Sequence, residues 1–258
     1  MSKQLITTEG IQKFEPSELR SLQISEIFTD TIQGEGLFAG VPATFLRLMG
    51  CNTGCKFCDT KAIYTKGKKY TFNEIFDLFE NAGVIERLQK GQHLVITGGD
   101  PLLQEVSLFH FLSEFYEIYE FLPFIELENN CCNVFTTELH MFIACFNNSP
   151  KLANSGVDKE KRYNEKALTQ LRQLHWNTNQ IITFKFVVEK ASDWDEIYES
   201  FIKPGLVARD QIYLMPEGGS WKHHTAEKKQ IVVDLVVKEG VKYSPRLHID
   251  IWNGKEGV

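Results

Sequence analysis

Short apolar, β-branched runs recur along the chain at residues 43–49, 93–97, 124–127, 141–146, 182–188, 211–215 and 247–252. Each is bounded by glycine, proline, asparagine or charged residues, the pattern of a buried strand. Between several of them the apolar positions fall three and four apart, over 71–88, 106–119, 166–174, 194–202 and 226–239, and these segments read as amphipathic helices. Strands alternating with helices predict parallel β–α units. Residues 149–164 are polar and read as a loop. Residues 1–22 are weakly patterned and read as an N-terminal extension, followed by a single domain over 23–258.

The most apolar stretch, 106–125, is interrupted by His110, Glu114, Glu117 and Glu120, so it reads as a helix against a core and not as a membrane span. The chain has 258 residues, 43% of them hydrophobic, enough to bury a full core. Its 28 basic and 34 acidic residues give a net charge of −6, and no long basic run supports binding to nucleic acid. The expected partner is a small molecule. The start, Met1-Ser-Lys-Gln, lacks the charged and apolar regions of a secretion signal, so a reducing, cytoplasmic setting is expected.

The chemistry gathers just after the strand-like runs. Cys51, Cys55 and Cys58, spaced C-x3-C-x2-C, follow the first; Thr97-Gly98-Gly99-Asp100-Pro101 follows the second; Glu128-Asn129-Asn130 the third; Ser149-Pro150-Lys151 the fourth. Polar groups collected at strand ends are the habit of a β/α barrel. A structural zinc site needs four closed ligands and an electron-transfer cluster four cysteines. Three thiolates hold three irons of a cube and leave the fourth open. Cys131, Cys132 and Cys145 lack ligand spacing and read as core or near-site residues.

The cysteine spacing resembles that of the radical S-adenosylmethionine (SAM) superfamily. The resemblance implies an α/β fold, an incomplete (β/α)6 barrel, and a 4Fe-4S cluster whose open iron binds the amine and carboxylate of SAM. The reactive species is then a radical derived from SAM, and no side chain is expected to be catalytic in itself. Positions matching the family's SAM motifs are Phe57, Cys58, Asp59, Gly99, Ser149, Pro150 and Lys151.

Upstream lie Gln33-Gly34-Glu35-Gly36 and Arg47, four residues before the first cysteine. With Cys58-Asp59-Thr60, Phe184-Lys185-Phe186-Val187-Val188, Tyr213-Leu214-Met215-Pro216 and Arg246-Leu247-His248, they resemble the 7-carboxy-7-deazaguanine synthase family over nearly the whole chain. That resemblance implies a ring-contracting lyase acting on 6-carboxy-5,6,7,8-tetrahydropterin in queuosine and deazapurine biosynthesis, with loss of ammonia. Ile32, Gln33, Gly34 and Thr97 would meet the pterin, and Arg47 its carboxylate; a plain ion pair is the other reading of Arg47. Thr60 would contact a magnesium ion (Mg2+), which prefers oxygen ligands, or else cap a helix. The family also implies a homodimer and a flavodoxin or ferredoxin as electron donor.

Two motifs depart from the superfamily. Gly98-Gly99-Asp100 stands where Gly-Gly-Glu is common, and Glu128-Asn129-Asn130-Cys131 stands where the family often has Glu-Thr-Asn-Gly, so a shifted turn is expected there. His248 reads as a core histidine or a site residue, and His223 and His224 as solvated. The competing functions are a radical SAM activase, which leaves Gln33 and Arg47 without a role, and an iron–sulfur scaffold, which leaves the open iron without one.

Overall fold

A computed structural model describes residues 20–255 of the chain. In chain order its strands are β1 (Ser21–Ile32), β2 (Pro42–Leu48), β3 (Lys68–Thr71), β4 (His93–Gly98), β5 (Ile125–Asn129), β6 (Cys145–Asn148), β7 (Ile181–Val188), β8 (Ile212–Pro216) and β9 (Lys242–Tyr243). They form one sheet in the order β3-β1-β2-β4-β5-β6-β7-β8-β9. Six strands, β2 and β4 to β8, run parallel and neighbour one another in the order of the sequence. This is the incomplete (β/α)6 barrel, extended at one edge by antiparallel β1 and β3 and at the other by the two residues of β9.

The central strands are buried on both faces because helices cover one and the barrel interior the other. Leu94, Val95, Ile96, Ile125 and Leu127 are fully buried. Outside the sheet, helix Phe72–Asn81 turns Phe72, Phe76 and Phe79 inward against Phe111 and Phe115 of helix Glu105–Tyr119. The Phe76 and Phe111 rings stack at 5.2 Å, within the range where aromatic pairs gain beyond simple burial. Helix Phe72–Asn81 starts at a capping box in which Thr71 and Glu74 satisfy each other's backbone N–H groups.

The barrel interior is polar at its base. Glu126, fully buried, accepts hydrogen bonds from Gln33 Nε2 at 3.2 Å and from Asn147 Nδ2 at 2.5 Å, and its other oxygen lies 2.7 Å from His93 Nδ1. Phe124 stacks on the same His93 ring and Phe38 meets it edge-on, which seals this network from below.

Several sequence expectations need correction. Residues 247–252 form a helix, Leu247–Trp252, and not a strand: their alternation suits either period, but Ile251 is exposed and only Ile249 is buried. The helix expected over 71–88 is two, broken at Gly83, whose φ of +65° ends the first. In 141–146 only Cys145 onward is strand; Met141 lies in a 3-10 turn and is exposed. The polar segment 149–164 carries a helical turn at Lys159–Arg162. Ser21 and Leu22, counted in the extension, begin β1 and are buried, while residues 1–19 lie outside the described ones. No helix among the described residues is long and apolar enough to cross a membrane.

Candidate functional site

The six parallel strands deliver their C-terminal ends to one cavity of about 730 Å³, large enough for a cofactor and a small substrate together. The cysteine loop leaves β2 and forms one wall. Gly50 and Gly54, with φ of +94° and +77°, let it turn back on itself. Cys51, Cys55 and Cys58 are free, half-buried and line the cavity. One hydroxyl, Thr53 Oγ1, lies 3.2 Å from Cys51 Sγ and 3.8 Å from Cys55 Sγ, so these thiols converge. A side chain at Gly99 would put its Cβ 2.2 Å from Cys51 Cβ, so glycine is required for β4 to pass behind the loop. Burial raises the Cys51 thiol, but hydrogen bonds with Thr53 and Tyr64 outweigh it and hold the group below its ordinary value. Three free thiols on one loop, two of them about a common hydroxyl and all three facing one cavity, fit a cluster that keeps one iron open.

Of the residues expected to meet SAM, Phe57, Cys58, Asp59, Gly99, Ser149 and Lys151 line this cavity and Pro150 is buried outside it. Lys151 Nζ donates to Ser149 Oγ at 2.8 Å. Asp100 is turned away: it caps the 3-10 turn Pro101–Gln104 through Leu102 N at 3.0 Å and accepts from Asn133 Nδ2 at 2.8 Å. Burial pushes its carboxyl up to about 6. The turn expected to shift is built with a non-glycine residue in a left-handed conformation at Cys131. Cys131 takes a φ of +63°, the left-handed conformation the family's glycine would hold, at a strain of roughly 1–2 kcal/mol.

Ile32, Gln33, Gly34, Arg47 and Thr97 line the same cavity, as does Thr60 beside the cysteine loop. Gln33 does not present a free amide. Its Nε2 donates to Glu126 and to Glu128, at 3.2 and 3.3 Å, and its Oε1 accepts from Glu35 N at 3.2 Å. The group offered to the cavity is Glu128, steadied by Thr97 Oγ1 at 2.8 Å. Arg47 is paired with Glu26 through Nε at 3.3 Å. Thr60 Oγ1 donates to Asp59 Oδ1 at 2.8 Å, which ties its hydroxyl to a carboxylate on the cavity wall.

Sequence reasoning missed the charge cluster between these walls. Arg246 donates through Nε to Glu35 at 3.1 Å, through Nη1 to Gly218 O at 2.6 Å, and through Nη2 to Asp59. Lys185 pairs with the other Glu35 oxygen and lies 3.9 Å from Glu128. Burial raises the Glu35 carboxyl, yet Lys185, Arg246 and His248 together hold it far below the carboxylate range. Partial burial raises Asp59 and Arg246 more than reverses it. His248 is a cavity residue, 3.6 Å from Glu35 through Nε2, and burial pushes its imidazole down. Oxygens of Glu35 and Asp59 and a ring nitrogen of His248 lie within 4.8 Å of one another, although Arg246 already sits between the two carboxylates. His224, expected in solvent, is buried; His223 is exposed. The signals for Glu35 and Arg246 were present, since both stand in quoted motifs.

A cysteine triad at the strand ends of this barrel defines the class, and the chain matches the radical SAM superfamily over residues 47–238. It is similar to the 7-carboxy-7-deazaguanine synthase of Pyrobaculum aerophilum, 31% identical over 242 residues that cover 92% of this chain and 97% of the relative. The synthase of Halobacterium salinarum is 27% identical over 249 residues, covering 90% and 91%. A crystal structure of QueE from Escherichia coli matches with a TM-score of 0.62 at 22% identity, covering 88% of this chain and 95% of that one, a likeness of fold. The chain belongs to the 7-carboxy-7-deazaguanine synthase family.

Replacing Arg246 with Ala leaves two carboxylates facing each other without their cation, at a cost of about 3 kcal/mol, the lower end for a broken buried pair because Asp59 is 37% exposed. Denaturant unfolding should report this as a lower midpoint at unchanged slope. Arg246→Lys should recover less than half, since one ammonium cannot reach Glu35, Asp59 and Gly218 O together.

Proposed function

We infer that the protein is a radical SAM carbon–nitrogen lyase that converts 6-carboxy-5,6,7,8-tetrahydropterin to 7-carboxy-7-deazaguanine with loss of ammonia, serving queuosine and deazapurine biosynthesis. The observation that carries this reading is that one cavity joins the cysteine triad to Arg47, whose guanidinium is held by Glu26 through Nε alone and keeps its Nη groups for a carboxylate. When bound, the cluster and SAM would supply the one-electron chemistry that removes a hydrogen atom from the substrate. Cys51, Cys55 and Cys58 hold the cluster. Phe57, Asp59, Gly99, Ser149 and Lys151 hold SAM, with Pro150 fixing the turn from behind.

In the same cavity, Glu128 receives the N–H edge of the pterin and Arg47 grips its carboxylate, while Gln33 keeps Glu128 in position. Charges deep in the site are fixed and not exchanged. Burial lowers Lys185, but Glu35 and Glu128 reverse this and keep its Nζ protonated, and Glu35 stays ionised. Such a site, with Lys185, Glu35 and Arg246 locked together, orients the substrate through fixed charges. Magnesium would sit at Thr60 and Asp59 beside the substrate carboxylate, where oxygen ligands are available. The reading is completed by a flavodoxin or ferredoxin as reductant, a homodimer, and the cytoplasm as location.

Three measurements test it. Cys55→Ala should abolish both cluster absorbance and SAM cleavage. Arg47→Ala should weaken use of the carboxypterin by roughly 30-fold or more, the loss of a charge-assisted pair, with cluster content unchanged. Undiminished turnover of the carboxypterin by Arg47→Ala would remove the substrate assignment. Thr60→Ala should blunt the rise in turnover on adding magnesium; an unaltered response would make Thr60 a purely structural residue.

A further inference from the structure

Arg47 enters the cavity held by one edge. Its Nε lies 3.3 Å from Glu26 Oε2, and its Cζ lies 5.5 Å from the centre of the Phe28 ring. Phe28 in turn stacks on Phe45, with centroids 4.7 Å apart and planes within 3°. The strand register builds this arrangement: Glu26 faces Arg47 and Phe28 faces Phe45 across the antiparallel β1–β2 pair. All four line the cavity.

A guanidinium carries five N–H donors in one rigid plane. Glu26 takes only the Nε edge. Nη1 and Nη2 have no hydrogen-bond partner among the described residues and are left as a fork toward the cavity. An arginine without such a hold has many rotamers, and fixing one of them on binding costs affinity. Glu26 and Phe28 do that fixing before any ligand arrives.

We propose that Glu26 is a positioning residue for substrate selection: it turns the Nη fork of Arg47 into the cavity, so the site favours a heterocycle bearing a carboxylate over its descarboxy counterpart. The proposal rests on the reading of Arg47 as the carboxylate-binding group. The negative charge of Glu26 opposes a second carboxylate, but it acts from the far edge of the guanidinium and its side chain is 29% exposed, so solvent screens it. Orientation of the fork is not screened.

The test is a double-mutant cycle on the full, cluster-loaded chain, with the carboxypterin and its descarboxy analogue as probes. Glu26→Leu should raise KM for the carboxypterin about tenfold, the loss of one hydrogen bond to a charged group, while kcat, cluster absorbance and uncoupled SAM cleavage change less than about twofold. Glu26→Gln should recover most of the loss, because its carbonyl still accepts from Nε. With Arg47→Ala already present, Glu26→Leu should add nothing. Additive losses, a lower KM in Glu26→Leu, or a fall in kcat together with cluster content would each overturn the positioning role. An Arg47→Ala enzyme with unchanged KM is a separate result, and sinks the reading of Arg47 itself. Where Glu26→Leu fails to fold, Glu26→Thr, suited to a strand, carries the same measurements.

Discussion

The site depends on a largely buried cluster of charges that must neutralise itself. Burying an unpaired ion costs several kcal/mol, so the buried Arg246 and Lys185 are tolerable only with Glu35 between them and Asp59 at the more exposed rim. They come from four separate places: Glu35 after β1, Asp59 beside the last cysteine, Lys185 inside β7, and Arg246 after β9. None can reach its partners unless the sheet has closed far enough to bring its first strands near its last. The electrostatic requirement therefore acts as a check on barrel curvature in a sheet whose edges are not hydrogen-bonded to each other.

That check also sets the distance between the two walls of the cavity. Arg246 joins the cysteine side, through Asp59, to the Gln33-Gly34-Glu35 loop, which the end of the chain holds further: Leu247 N donates to Gly34 O at 2.9 Å and Ser244 Oγ accepts from Gly36 N at 2.8 Å. A Cβ at Gly34 would lie 2.5 Å from His248 Nδ1, so any other residue there would displace the His248 ring. A polar interior cross-linked by hydrogen bonds and ion pairs is rigid and specific where an apolar one would be adaptable. For a reaction in which a radical must meet one hydrogen among several, that rigidity is the useful property.

What the sequence made legible follows from range. The six parallel strands were readable because a strand buried on both faces is a short continuous apolar run, as in 93–97 and 182–188. The cysteine triad was readable because its ligands are close in sequence. By contrast β1, twelve residues long, carries Glu26, Thr29 and Asp30 on a half-buried edge and two breaks in its register, so its alternation is blurred. The charge cluster was illegible for another reason: Lys185 and Arg246 meet Glu35 from 150 and 211 positions away, and nothing local distinguishes a buried lysine in a strand from a surface one. Gln33 could be located but not understood, because its amide is consumed by Glu126 and Glu128, which no spacing links to it.

The two departures from the superfamily pattern become intelligible as one change. Asp100, shorter than the usual glutamate, reaches Leu102 N and Asn133 Nδ2 and no longer extends to the cavity. Asn133 stands at 3.5 Å from Asn52 Nδ2, and Asn52 Oδ1 accepts from Asn130 Nδ2 at 2.6 Å. Asn129, Asn130 and the strained Cys131 thus build a turn that holds the cysteine loop through its Asn52, while Asn129 Oδ1 steadies that turn by accepting from Cys131 N at 2.9 Å. A side chain one methylene shorter at position 100 and extra amides at 129 to 133 belong to the same network. Together they support the cluster loop from behind the cavity wall, through hydrogen bonds that run from Asp100 to Asn133 and from Asn130 to Asn52.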